Sequence, residues 1–204
     1  MIGTFSPADS ALLLIDHQLG TMKLIKNIPL DVVKRNTLAL AKTAKILNIP
    51  VVLTSSQEQN IQGPLLPELE HIIPEAFAAR IQRAGIVNAW NDPYFKKAVE
   101  ATGRRNLIMA GVTTDVCLVY PAISARREGY QVQAVIDASG SPYEISEEMS
   151  RRRMEREGVV LYRERISAGL FESRCVTSFW EKPMKGAHHD SNRIQPGDHR
   201  CLGP

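Results

Sequence analysis

Three residues have the chemistry of a nucleophilic site if the fold brings them together: Asp16, Arg83 and Cys117. A cysteine hydrolase needs a thiol, a base to manage its proton, a positive group to hold that base, and donors for a developing oxyanion. Cys117 follows an apolar run, Leu107-Ile108-Met109-Ala110, then Gly111 and the helix-start residues Thr113, Thr114 and Asp115. That order reads as strand, tight turn and helix with the thiol in the first turn, where unpaired N–H groups and the helix dipole favour thiolate. The ordinary alternative is a cysteine buried as a small apolar residue. Asp16 closes another apolar run and can serve as a base or simply cap a turn. Arg83 has nothing in its own context that lifts it above an exposed charge.

His17 is a rival base, because imidazole is the commonest partner of a cysteine nucleophile. If the strand continues past Asp16, His17 points to the opposite face, which fits a structural or pocket-wall role. Asn88 and Trp90 are candidate substrate-binding residues, with Trp90 as an apolar wall. A core tryptophan is the competing reading of Trp90.

These residues must be positioned by the elements around them. Continuous apolar runs at 11–15 and 51–54 read as strands buried on both faces. Residues 80–83, 106–110, 130–136 and 159–161 complete six candidate strands. Helices are expected over 30–47, 65–71, 91–102, 114–128 and 144–157. Pro121 lies inside the fourth of these, frees the carbonyl of Cys117 and predicts a local kink. Alternation of strand and helix predicts an α/β fold, an open six-stranded parallel sheet with helices on both faces. In a doubly wound order 3-2-1-4-5-6 the ligand crevice opens beyond strands one and four, which end at Asp16 and lead into Cys117.

The composition, 44% apolar and 23% charged over 204 residues, is that of a globular chain with a sizeable core. The net charge of +3 is spread along the chain and carries no nucleic-acid signal. Neither a leader nor a membrane-spanning run is visible, so a cytoplasmic protein is expected, without membrane partners. Cys117, Cys175 and Cys201, odd in number and far apart, make no disulfide framework. One domain over 1–182 is expected, followed by a disordered tail, 183–204, rich in Pro and Gly. In that tail His188, His189 and His199, with Cys201, match no zinc template.

Five blocks in order resemble the isochorismatase-like cysteine hydrolases, in their YcaC-like branch. They are Leu13-Leu14-Ile15-Asp16-His17-Gln18, Gly63-Pro64-Leu65-Leu66-Pro67-Glu68-Leu69, Arg83-Ala84-Gly85-Ile86-Val87-Asn88-Ala89-Trp90, Ala110-Gly111-Val112-Thr113-Thr114-Asp115-Val116-Cys117, and Asp137-Ala138-Ser139-Gly140. The resemblance implies a catalytic triad of Asp16, Arg83 and Cys117. It also implies a non-proline cis bond at Val112–Thr113, which turns the N–H of Thr113 beside that of Cys117 as an oxyanion hole. A small-molecule substrate, hydrolysis of an amide-type C–N bond, no cofactor and a homo-oligomer are implied with it.

Three departures bear on this reading. Much of the wider family has lysine where this chain has Arg83, and arginine offers a fixed charge and a planar fork but no neutral base. The nicotinamidase members carry an Asp-x-His metal cluster where this chain has Ser55-Ser56-Gln57-Glu58-Gln59-Asn60, so no metal is expected. After about Leu161 the Arg-rich text from Tyr162 replaces the family's apolar segment, and a rebuilt C-terminus is expected. The alternative function is a non-catalytic small-molecule or partner-binding protein on the same scaffold, with Cys117 as a redox-sensitive thiol.

Overall fold

A computed structural model describes residues 5–162. The expected tail at 183–204, its histidines and the expected rebuilt segment after Tyr162 lie outside the described residues. Strands β1 (Ser10–Ile15), β2 (Val51–Ser56), β3 (Ile81–Arg83), β4 (Asn106–Gly111), β5 (Gln131–Val135) and β6 (Val160–Tyr162) form one sheet. Its order is β3-β2-β1-β4-β5-β6 and every neighbouring pair is parallel. The six-stranded doubly wound sheet expected from the sequence is therefore the fold observed.

The unbroken apolar run in β1 follows from helices on both faces. Leu12 and Leu14 point to one side, where Val33, Leu40 and Ala44 of helix α1 (Leu30–Ile46) and Leu69 of α2 (Pro67–Ile72) complete one core cluster. Leu13 and Ile15 point to the other, against Phe95 and Val99 of α4 (Pro93–Ala101) and Val119, Ala122 and Ile123 of α5 (Val119–Arg127). Each of the buried Val, Leu, Ile and Phe side chains contributes about 1.5–3 kcal/mol by leaving water. A polar residue at Leu13, which is fully buried, would break the second cluster at its centre.

Between α2 and β3 lies a short helix that the sequence reading omits, α3 (Pro74–Ala78), started like α2 by a proline in its first turn. Helix α4 begins as expected: the Asp92 carboxylate accepts from the N–H groups of Tyr94 (2.9 Å) and Phe95 (3.0 Å), with Pro93 following it. Helix α6 (Glu144–Arg156) covers the β6 side. The expected kink at Pro121 takes another form. Thr114–Leu118 is a π turn, and α5 starts after it, so Pro121 falls in the first helical turn, where an N–H has no intrahelical partner to lose.

Candidate active site

The site lies beyond the carboxyl ends of β1 and β4, where the strand order reverses. Asp16 leaves β1 in the left-handed backbone region (φ 58°), which Asp adopts more readily than most residues. Its N–H still donates to the Thr54 carbonyl of β2 at 2.9 Å, while the carbonyl of Ile15 accepts from Val112 after β4 at 3.0 Å. The acid is thus fixed by both neighbours of the central strand.

Arg83, the last residue of β3, reaches back across β2. Its Nη2 donates to both Asp16 carboxylate oxygens, its Nε to Thr54 Oγ1 at 3.0 Å, and its Nη1 to the Ile86 carbonyl. Both side chains of this ion pair are almost wholly buried. On the other side of Asp16 sits the thiol of Cys117, hydrogen-bonded to the carboxylate. Asp16, Arg83, Thr113 and Cys117 line one cavity of ≈ 560 Å³. The Val112–Thr113 peptide bond is cis.

Burial pushes the Asp16 carboxyl up from its usual range, against the opposing Arg83 charge and hydrogen bonds from Arg83 and Cys117. The Cys117 thiol is pushed well above its usual range, first by burial, then by the Asp16 charge and hydrogen bond; Arg83 and the backbone of Thr113 oppose the shift. The helix start taken alone favours thiolate, whereas burial and the Asp16 charge favour the protonated thiol. The helix-start argument is local, and the dominant influences, desolvation and a carboxylate from 101 residues earlier (117 − 16), are not.

The expected pair of oxyanion donors is corrected in part. Thr113 presents its backbone hydrogen bond to the thiol. The N–H of Cys117 donates to the Thr113 carbonyl at 2.7 Å, together with those of Val116 and Leu118, because the π turn gathers successive N–H groups onto that one acceptor. An oxyanion would have to share the Cys117 donor.

His17 is fully buried, with Nε2 against the Ala138 carbonyl at 2.8 Å and Nδ1 unpartnered. Burial lowers its pKa to about 4, so it is a neutral structural imidazole rather than a base at the site. Asn88 and Trp90 do not line the cavity. Trp90, 3% exposed, packs edge-on against Phe95 and Tyr130, with ring centroids at 6.4 and 5.3 Å. The Asn88 side chain caps the Trp90 N–H (3.1 Å) and donates to Ser124 Oγ (3.0 Å). The substrate-binding expectation for both is thus corrected: a tryptophan at a loop-to-helix join finds more apolar surface in the core than at the cavity.

Other residues shape the site, several of them in the five blocks but with no role of their own assigned from the sequence. The Gln18 amide clasps Ser56, donating to its carbonyl (2.9 Å) and accepting from its N–H (2.8 Å), which ties the exit of β1 to the end of β2. It closes the first of the five blocks, two residues after Asp16. Gly111 has little room for a side chain: a Cβ there would lie 3.0 Å from the Cys117 carbonyl oxygen, which would have to give way. The loop after β5 is stitched to the nucleophile turn by Thr114 N–H to the Gly140 carbonyl (2.7 Å), Gly140 N–H to Thr114 Oγ1 (2.8 Å) and Gly111 N–H to Ser139 Oγ (3.1 Å). Behind it Glu147 of α6 accepts from Ser141 Oγ (2.7 Å) and bonds Thr114, and burial raises its pKa. In the sequence Glu147 looks like one exposed charge among many on α6.

The polar stretch at the end of β2 and beyond it is internally paired, Ser55 donating to Glu58 (2.6 Å) and Glu58 bridged to Arg80 (2.8 Å). Among the described residues no three His, Cys, Asp or Glu side chains gather as metal ligands. No helix of the described residues is long and apolar enough to cross a membrane.

A family model described as "Isochorismatase domain" matches residues 10–164. "Probable hydrolase YcaC" of Escherichia coli (strain K12) is 45% identical over 153 residues, which are 75% of this chain and 73% of that protein. YcaC from Pseudomonas aeruginosa, solved with hexane-2,5-diol and covalent acrylamide, is similar with a TM-score of 0.81 at 39% identity, covering 84% of each chain. The E. coli YcaC structure, described as an octameric hydrolase of unknown specificity, gives 0.79 at 43% identity over 83% of this chain and 82% of that one.

Proposed function

Because this chain belongs to the isochorismatase family of hydrolases, we propose that it is a metal-independent cysteine hydrolase that cleaves an amide-type C–N bond of a small molecule through a covalent acyl-enzyme. The observation that carries this reading is the hydrogen-bonded contact between the Cys117 thiol and the Asp16 carboxylate, with Arg83 clamped on the far side of that carboxylate. A thiol that keeps its proton at rest needs a base at the moment of attack, and Asp16 is already in hydrogen-bond contact with it. Arg83 holds the carboxylate in place and cannot itself take the proton.

In the proposed sequence Cys117 Sγ bonds to the substrate carbonyl carbon while its proton passes to Asp16. The Thr113 N–H, and a shared Cys117 N–H, stabilise the oxyanion. As the C–N bond breaks, Asp16 returns the proton to the leaving nitrogen and a thioester remains. Water then gives a proton to Asp16 and attacks the thioester carbon; the acid is released and the proton goes back to sulfur. The reading includes a homo-oligomer, supported by the octameric E. coli relative and by apolar side chains at the cavity mouth such as Ile61, which is 91% exposed.

The test is a panel of small aliphatic and aromatic amides and carbamoyl compounds, with turnover read as released ammonia and the enzyme read by rapid-quench intact mass. Wild type is expected to carry the acyl mass on Cys117 during turnover, and Cys117→Ala to lose both adduct and turnover. Undiminished turnover in Cys117→Ala would overturn the reading.

A further inference from the structure

Three ionisable side chains other than the thiol line the active-site cavity: Asp16, Arg83 and Lys23. The first two neutralise one another in the buried pair. Lys23 takes part in none of the ion pairs formed among the described residues, so the cavity carries one uncompensated positive charge. Its backbone is anchored: Lys23 lies in a 3-10 turn, Thr21–Leu24, whose Met22 N–H donates to the Gln18 carbonyl (2.9 Å), and Gly20 just before it donates to the Gln62 carbonyl (2.8 Å). Leu24, Ile61, Ile86, Val87 and Val116 give the wall its aliphatic part, beside the uncharged polar side chains of Thr21, Gln57 and Gln62, and no aromatic side chain lines the cavity among the described residues. Low-dielectric walls of this kind focus the field of a single charge into the opening.

We infer that the acyl half of the substrate is an aliphatic chain ending in a carboxylate, which Lys23 receives at the cavity mouth while the amide carbonyl lies at Cys117. The inference rests on the hydrolase reading above and names the substrate class for that site. Methylene groups fit aliphatic walls as well as any partner, whereas an aromatic ring would find no stacking surface. A carboxylate supplies the charge that Lys23 lacks. Hydrolysis of such a monoamide consumes one water and yields the dicarboxylate and ammonia.

The probes are succinamate, glutaramate and adipamate, each beside a chain-matched neutral amide, with benzamide as the aromatic comparison. Two quantities are measured on the full chain, wild type and Lys23→Met: kcat/KM, and the protection each compound gives Cys117 against iodoacetamide. At low salt one acid of the series is expected to exceed its neutral counterpart by about 2–5-fold in both, the upper part of the range of an exposed ion pair. That ratio should fall to about one in Lys23→Met, and toward one as salt screens the pair. A ratio of one in wild type, or a ratio that Lys23→Met leaves in place, overturns the inference. Protection does not need turnover. Preferential protection by the acid with no amide hydrolysed would sink the hydrolase reading and leave the anion preference standing; hydrolysis without preference would do the reverse.

Discussion

Replacing Asp16 by Asn separates the two things that its carboxylate does to the thiol. The substitution keeps the shape and a hydrogen-bonding oxygen near Arg83, but removes the proton acceptor and the negative charge together. Turnover should fall by at least about two orders of magnitude, the scale of a lost general base. Alkylation of Cys117 should move the other way, because the Asp16 charge and hydrogen bond raise the thiol pKa while Arg83, now without its counter-charge, lowers it. A unit charge about 4 Å away at an effective dielectric near 20 is worth about 4 kcal/mol, or about three decades in thiolate population as an upper bound. Relaxation and water reduce that, and the lower nucleophilicity of a less basic thiolate takes back nearly half of the remainder, leaving roughly a tenfold faster reaction. The assay is the pseudo-first-order rate of iodoacetamide alkylation between pH 6 and 9, followed by intact mass on protein whose folding is checked by near-UV circular dichroism. That check matters, because an unpaired buried Arg83 costs about 3–5 kcal/mol of stability. Folded Asp16→Asn that alkylates no faster than wild type would refute the electrostatic reasoning, and one that hydrolyses amides at the wild-type rate would refute the proton-transfer role.

The buried imidazole and the glycine beneath the nucleophile give two further tests. His17 has a folded pKa of about 4 against 6.5 in the unfolded chain, so its contribution is fully present above pH 6.5 and is lost as pH falls toward 4. The loss approaches about 3 kcal/mol, and His17→Asn, though less stable at pH 7.5, should show a flatter decline in urea-unfolding free energy between pH 7 and 4.5; an unchanged slope counts against the assignment. Gly111→Ala sets a Cβ 3.0 Å from the Cys117 carbonyl oxygen and 3.2 Å from the Leu118 nitrogen, backbone atoms that yield only by moving the π turn. Expected are a loss of about 1–3 kcal/mol by thermal unfolding and a larger loss of turnover than of substrate protection; wild-type kinetics in that variant would show that the turn has slack.

What the sequence disclosed, and what it withheld, follows from the range of each interaction. Leu12, Leu13, Leu14 and Ile15 announce a strand buried on both faces by composition alone, and the alternation of such runs with helices implies a parallel sheet, though not the order of its strands. Asp16 and Cys117 stand at strand exits, which topology then brings together. Arg83 was legible only through the family resemblance, because its partners come from β1, β2 and the loop after β3, none of which its neighbours in sequence reveal. Trp90 was misplaced because an aromatic residue at a loop-to-helix join has the same local text whether it faces a ligand or Phe95. The balance of effects on the Cys117 thiol is out of reach for a related reason: dipole and unpaired N–H groups can be read from a helix start, but desolvation is a property of everything packed around it. Helix α3 escaped notice because five residues carry too little periodicity to register.

The clasp between Gln18 and Ser56 has a consequence beyond local order. Past the last rung that joins β1 to β2, the two chains would splay apart and open a second crevice beside the one at β1 and β4. One side-chain amide extends the ladder by a pair of bonds and keeps that seam shut. The acid and the arginine thereby keep their places at the ends of β1 and of the edge strand β3, with the thiol in the turn after β4, while Leu24, Ile61, Ile86 and Val87 at the mouth come from the turns and loops between elements. Such a division lets the choice of ligand drift through changes at the rim, with the reacting groups undisturbed beneath.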